Sequence, residues 1–334
     1  MNGVDSISGG VVCVACGGGN SVEFPYIDAD WSRTDTFRDL SIIVCVECGF
    51  GSVNPEPSDE ELTRYYETYY RDETSPYHID FARQSNDAFQ NFFDARSISQ
   101  ISLATMFTDF VQGSTFLDLG PGLGLSFGSA KKMLRQPNLF AVDPNLDSKH
   151  YYERVYGASC GSLDEFIDGG RKAQIALMSH SLEHFSPSRL ASVLAKLHAC
   201  LAPEGALVIE VPFDDLRDNF DVAQPQTPHV SFFSLDGLKQ VLAVNGWDVV
   251  YMSQCATPLQ QNANDPVESK AVSQTSKTRR YVVKHLPSFG LKVARALKAA
   301  SVQFRGSSQI GALDSFVYGS ERDCIRVVVR SDKN

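Results

Sequence analysis

At 334 residues the chain suits one large α/β domain with a small appendage, or two modest domains. Hydrophobic residues make up 43% and charged residues 21%, ordinary for a globular chain in water, and no run approaches the roughly 20 apolar residues that span a bilayer. The net charge of −10 is concentrated at the start: residues 1–75 carry four basic and fourteen acidic side chains and the remainder is balanced, which excludes nucleic acid as a partner of that segment. The first ten residues show no basic stretch leading into an apolar one, so the expected location is the cytoplasm.

Four of the eight cysteines form two tight pairs, Cys13-Val-Ala-Cys16 and Cys45-Val-Glu-Cys48, with 28 residues between them. Two residues between thiols let both sulfurs of a turn face one ion, and Gly17 and Gly49 supply the backbone freedom that each turn needs. Two such turns make a tetrahedral thiolate set suited to Zn²⁺ at about 2.3 Å per sulfur, with no open position, so the expectation is a structural zinc module over residues 1–57. A redox pair or unliganded thiols are the other readings. Cys160, Cys200, Cys255 and Cys324 are scattered singly and read as small buried hydrophobes.

A helical lid or linker is expected over 58–112. Ser58 and Glu61 have capping-box spacing, and Tyr65, Tyr66, Tyr69 and Tyr70 follow on the predicted helix. These tyrosines either pack against the next domain or cover a cofactor, with Tyr70 reaching it. A second helix is expected from Asp87 to Val111.

From Ser114 the pattern alternates strand and helix. Strands are predicted at Thr115–Leu119, Leu139–Val142, Gly157–Cys160, Gln174–Met178, Ala206–Val211, Trp247–Met252 and Cys324–Val329, with helices such as Arg189–Leu201 and Leu235–Asn245 between them. Repeated βα units mean a Rossmann-like α/β fold with a doubly wound, mostly parallel sheet of seven strands, over 113–256 plus 321–334. The intervening 257–320 is an insertion; its residues 258–320 hold nine basic and three acidic side chains, and Phe289–Phe304 reads as an amphipathic helix.

The central motif is Phe116-Leu117-Asp118-Leu119-Gly120-Pro121-Gly122-Leu123-Gly124, a strand running into a glycine loop that opens a helix. A dinucleotide fingerprint needs a third glycine where Leu125 stands. The observed Gly120-x-Gly122-x-Gly124 after Asp118 instead resembles motif I of class I methyltransferases, which implies S-adenosylmethionine (SAM) as cofactor. On that resemblance Asp143, ahead of Pro144 and 23 residues after Gly120, accepts the ribose hydroxyls, although an Asp-Pro turn is the plainer reading. Ser162 and Leu163 then lie by the adenine. Ser179-His180-Ser181-Leu182-Glu183-His184-Phe185 resembles the Leu-Glu-His segment of one class I subfamily, which implies that His180 and Ser181 line the methionine end.

Pro228-His229-Val230-Ser231-Phe232-Phe233-Ser234, then Asn245-Gly246-Trp247, resembles the same subfamily. Residues 10–256 as a whole look like zinc-containing methyltransferases of bacterial sugar and polysaccharide pathways, deoxysugar C-methyltransferases among them. Those C-methyltransferases carry Glu-His where this chain has Pro228-His229, so methyl transfer to oxygen or nitrogen of a sugar or glycan-linked acceptor is expected. Candidate bases are His229 first, then His184, His180 and the tyrosine cluster led by Tyr65. The basic insertion is expected to attract a diphosphate or lipid-phosphate handle at a membrane surface; a solvated helix or a homodimer contact is the alternative. Small-molecule O- or N-methylation in secondary metabolism and sugar C-methylation are the other enzymatic readings within the family. A nicotinamide oxidoreductase and a zinc-module scaffold with a vestigial Rossmann domain are the rivals outside it.

Overall fold

Strands buried on both faces read as near-continuous apolar runs, and the strand β5 (Thr115–Leu119), apolar at Phe116, Leu117 and Leu119, shows why the large sheet forms. Phe116 packs into the core on one face, and Leu117 and Leu119 into the core on the other. The same division recurs on β8 (Ala173–Ser179), with Ile175 and Leu177 on the Phe116 face and Ala176 and Met178 opposite. The structure is a computed structural model that describes residues 6–8, 12–29, 34–73, 75, 87–221, 224–255 and 324–331. The expected insertion at 257–320 lies outside the described residues.

The chain begins with β1 (Ser6–Ser8), β2 (Asn20–Pro25), β3 (Ser41–Cys45) and β4 (Gly51–Asn54). Then α1 (Asp59–Arg64) starts on the Ser58–Glu61 capping box and runs on into a wide π turn, Tyr65–Tyr69. After α2 (Asp87–Phe107), β5 leads to α3 (Leu125–Met133), β6 (Asn138–Val142), α4 (Leu146–Tyr156), β7 (Ser159–Gly161) and α5 (Leu163–Asp168). β8 is followed by α6 (Pro187–Cys200), β9 (Leu201–Pro212), α7 (Leu216–Asn219), β10 (Ser231–Phe232), α8 (Leu235–Val244), β11 (Trp247–Cys255) and β12 (Cys324–Ser331). The third strand of the large sheet starts two residues later than the sequence suggests. Gly157 sits at φ 61° and closes α4 as its C-cap, so that glycine is a helix stop rather than a strand start. Among the described residues no helix is long and apolar enough to cross a membrane.

Seven strands form the order β11-β12-β9-β8-β5-β6-β7. β5 pairs parallel with β6 and β8, β6 with β7 and β8 with β9, while β12 runs antiparallel to both β9 and β11. The crossovers lead outward from β5 to β6 and β7, then return to β8 on its other side. The carboxyl ends of β5 and β8 are therefore the reversal point, where open α/β sheets bind ligands.

A second, antiparallel sheet has the order β1-β2-β3-β4-β10. Its last strand comes from far along the chain: Ser231 pairs with Ser52 and Phe232 with Gly51. Phe24, Ile42, Val44 and Val53 from the first strands pack with Val230, Phe232 and Leu216 in one core. The cysteine turns join the large core through Ala15, Cys45, Cys48 and Phe50, which meet Phe233 and Leu238. Where α8 crosses, a Cβ on Gly237 would sit 3.0 Å from the Phe50 backbone nitrogen, so a side chain there would press on the Phe50 backbone. The small sheet is thus welded to the large one rather than tethered to it.

Candidate active site

The glycine loop leaves β5 with Gly120, Gly122 and Gly124 all at positive φ, in the left-handed region that disfavours side chains. At Gly120 space is limiting too, because a Cβ would lie 2.6 Å from Ser181 Oγ. That hydroxyl donates to the Leu119 carbonyl at 2.8 Å and fastens the ends of β5 and β8 together. Pro121 stands half-buried between the first two glycines. Asp118 is buried beneath the loop and accepts a hydrogen bond from Ser126 in α3. Burial pushes its carboxyl up to about 7; the Ser126 hydroxyl pulls it down and Asp143 adds to the rise.

Asp143 follows β6, its side chain 4% exposed. The Tyr152 hydroxyl on α4 lies 2.9 Å from Asp143 Oδ2 and 2.7 Å from the Gly122 carbonyl, tying the acidic residue to the loop. Asn145 N–H donates to Oδ1 at 2.9 Å, and Arg71 Nη2 stands 4.0 Å from Oδ2. Burial raises the Asp143 pKa, against the Arg71 charge and the Asn145 and Tyr152 hydrogen bonds. Pro144 is exposed; Ser162 caps α5 by accepting from Glu165 N–H at 3.1 Å, and Leu163 is buried behind it. Tyr152 and Arg71 lie outside the motifs quoted above; only proximity in the fold identifies them.

Four ionisable groups meet at the other side of the reversal point. His180 ends β8 at φ 52°, with Nδ1 3.6 Å from Glu183 Oε1 and Nε2 3.4 Å from Glu210 Oε1 and 3.7 Å from Cys324 Sγ. Burial would raise the Glu210 carboxyl, but Arg326, His180 and Arg96 hold it well below the usual carboxylate range. Glu183 is fully buried, and neither of its oxygens has a hydrogen-bond partner among the described residues. Burial pushes it up to about 8, with Asp214 and Glu210 adding to the rise and Arg96 opposing it.

His229 Nε2 stands 4.0 Å from Glu183 Oε1, and its ring centroid is 5.2 Å from that of His184. The backbone secures this pairing: Val230 N–H donates to the Glu183 carbonyl at 3.0 Å, and the Tyr26 hydroxyl donates to the His229 carbonyl at 3.0 Å. Burial lowers His184 to about 4, the Pro228 and His180 carbonyls opposing; burial likewise takes His229 well below its ordinary value, with His184 and His180 adding to the fall. Both imidazoles are neutral at pH 7.

The tyrosines divide. Tyr65 is buried in the small core, edge-on to Phe37 at 4.8 Å, whereas the Tyr66 hydroxyl lies 2.8 Å from His184 Nδ1. Tyr70 lies 6.2 Å from the His184 ring and carries the Arg71 guanidinium 5.3 Å above its own. Tyr65 leads the tyrosine candidates in the sequence; the hydroxyl that lies beside His184 is that of Tyr66, on the π turn. Glu183 stood in the Leu-Glu-His segment with no role attached, and that segment was the one signal for it.

The cysteine turns place Cys13 Sγ 3.7 Å from Cys48 Sγ and Cys16 Sγ 3.5 Å from Cys45 Sγ, with all four sulfurs within 4.8 Å of one another. A tetrahedron of thiolates about a zinc ion has an edge of about 3.8 Å, so the donor set fits. The Cys48 hydrogen bond draws Cys13 down to about 5, while burial pushes Cys45 up to about 12.

Residues 94–252, a little under half of the chain, match the family model of a methyltransferase domain. No curated protein matches the sequence. Among solved structures, a SAM-dependent methyltransferase from Archaeoglobus fulgidus is 17% identical over 72% of this chain and 93% of its own, with a TM-score of 0.41. The plantazolicin methyltransferase BamL, in complex with a substrate analogue and S-adenosylhomocysteine, is 12% identical over 82% of this chain and 97% of its own, TM-score 0.47. A putative methyltransferase from Haloferax volcanii in complex with the activator Trm112 is 11% identical, over 75% and 97%, TM-score 0.44. Such distant likenesses add nothing to what the sheet shows by itself. The glycine loop at the reversal point, the antiparallel last strand inserted beside β9, and the family match make residues 94–252 the core of a class I SAM-dependent methyltransferase domain, and the protein is an enzyme of that kind.

Proposed function

We propose that the enzyme methylates a hydroxyl or amine of a sugar or glycan-linked acceptor, and that a structural zinc held by Cys13, Cys16, Cys45 and Cys48 braces the acceptor side of the cleft. The observation that carries this reading is the cluster of His180, Glu183, His184 and His229 at the carboxyl end of β8, beside the glycine loop. SAM supplies a methyl group already activated on a sulfonium. The protein must therefore exclude water, align the nucleophile and take one proton.

On the cofactor side, Asp143 accepts the ribose hydroxyls, and the loop from Gly120 through Pro121 and Gly122 to Gly124 lets the ligand approach the backbone over Asp118. Pro144, Ser162 and Leu163 border the adenine, His180 and Ser181 the methionine end, and Tyr70 closes from the lid. On the acceptor side, His229 leads proton removal: it is half-buried, its imidazole is neutral, and its loop follows the fifth strand of the large sheet. His184, oriented by Tyr66, and His180 flank it, and Tyr65 supports them from the small core. The sugar class rests on the resemblance of residues 10–256, and a role for 258–320 in gripping a phosphate handle at a membrane rests on its charge. The test is release of S-adenosylhomocysteine from SAM against a panel of nucleotide-linked and lipid-linked sugars, with aminosugars and simple phenols alongside. Turnover confined to the phenols would reject the sugar class.

A further inference from the structure

We infer that Glu183, His184 and His229 form a divalent-cation site, separate from the four-cysteine cluster, in the acceptor side of the cleft. The inference rests on the reading of that cluster as the place where the acceptor is activated, and it supplies the means. Two imidazole nitrogens and one carboxylate oxygen lie within 4.8 Å of one another, a 2-His-1-carboxylate set that leaves coordination positions open. Neighbouring donors around a cation at about 2.1 Å stand roughly 3.0–3.5 Å apart, so these draw in by up to about 1.8 Å, which side-chain rotations supply.

Two observations favour a cation over a simple polar cluster. First, Glu183 is fully buried and neither of its oxygens has a hydrogen-bond partner among the described residues, a costly arrangement for a carboxylate that a bound cation resolves. Its contact with His229 at 4.0 Å is too long for a hydrogen bond yet within the span of two metal–ligand bonds. Second, the Tyr66 hydroxyl lies 2.8 Å from His184 Nδ1 and fixes the orientation of that ring, as outer-shell oxygens do for metal-bound imidazoles.

A hydroxyl bound to such a cation is acidified as metal-bound water is, and His229, its lone pair on the cation, then promotes proton loss through the metal instead of taking the proton itself. The O–H proton passes to solvent, the new O–CH₃ bond forms as the S–CH₃ bond breaks, and the sulfonium leaves as a neutral thioether. The cation is neither oxidised nor reduced.

Mn²⁺ is the probe, because a hard cation passes over four thiolates and reports the second site alone. Titration of the full-length protein followed by electron paramagnetic resonance is expected to show about one bound Mn²⁺ per chain. Glu183→Gln and, separately, the half-exposed His229→Asn are expected to weaken it by more than the roughly 10–100-fold that loss of an outer-shell partner costs. Circular dichroism and retained zinc verify that each variant is folded. No Mn²⁺ bound by the folded wild type, or binding untouched by both substitutions, overturns the site. If Mn²⁺ fails to bind but His229→Asn still abolishes turnover, the cation falls and the acceptor-side reading survives. Mn²⁺ lost from a His229→Asn enzyme of full activity would have the opposite meaning: the site stands and that reading falls.

Discussion

The two walls of the cleft are built on different length scales. On the cofactor wall the contacts around the two acidic residues are mostly local: Ser126 to Asp118 spans 8 residues, Tyr152 to Asp143 spans 9, and Asn145 to Asp143 spans 2. On the acceptor wall they are long: Tyr66 to His184 spans 118 residues, Ser234 to Cys48 spans 186, and Tyr26 to His229 spans 203. One wall is a βα unit that organises its own loop, and the other exists only after three distant segments have docked. Loop-closure entropy makes the second wall the more easily lost. Damage at the cysteine turns should therefore silence acceptor chemistry and spare the cofactor.

The largest effect should come from the acceptor wall itself. His229→Asn is expected to lower kcat by about 10²–10⁴-fold while calorimetry gives an unchanged affinity for S-adenosylhomocysteine. Stripping zinc with a chelator, followed by metal analysis, should drive activity toward the level of that variant. The cofactor analogue should still bind; its loss in step with zinc would mean that the two walls form one cooperative unit.

The cofactor wall should break separately. Asp143→Ala is expected to weaken S-adenosylhomocysteine by about 1.5–3 kcal/mol without altering acceptor KM. Asp118 sharpens the contrast through pH. Its folded pKa, about 7, lies above its ordinary 3.8, so between those values the folded state keeps a proton that the unfolded chain has released. Stability conferred by that proton declines as pH rises across this window, by a few kcal/mol at most, and the loss is complete above about 7. In the absence of cofactor, Asp118→Asn should therefore gain in Tm relative to wild type between about pH 5 and 8. A constant Tm difference would place the carboxyl in a more polar setting. The smallest effect is expected from reversing Arg279 and Arg280, which should raise acceptor KM and flatten its salt dependence without touching kcat.

The same difference of scale explains what could be read from the residues alone. Asp118, the glycine loop and the run of strands and helices are consequences of short-range pattern, and the capping box at Ser58 appears where its spacing requires. Glu183, Tyr66 and Arg71 carry no such pattern. Glu183 matters because Val230 and His229 return beside it, and Tyr66 because one π turn rotates the helix end. The strand β10 is two residues long, below the length at which alternation signals a strand, yet it completes the small sheet.

That borrowed strand bears on how the protein is made. β4 leaves the ribosome roughly 180 residues before the strand that pairs with it. At about 5–20 residues per second the wait is about 10–35 seconds. Throughout it the nascent small sheet has an open edge with Val53 and Gly51 exposed to any passing strand. The cysteine turns are already complete by then, so metal capture can precede closure and hold the four earlier strands in register. An N-terminal piece whose edge is donated from residue 231 is no transferable cassette: grafted alone onto another enzyme, it would arrive with that edge unsealed.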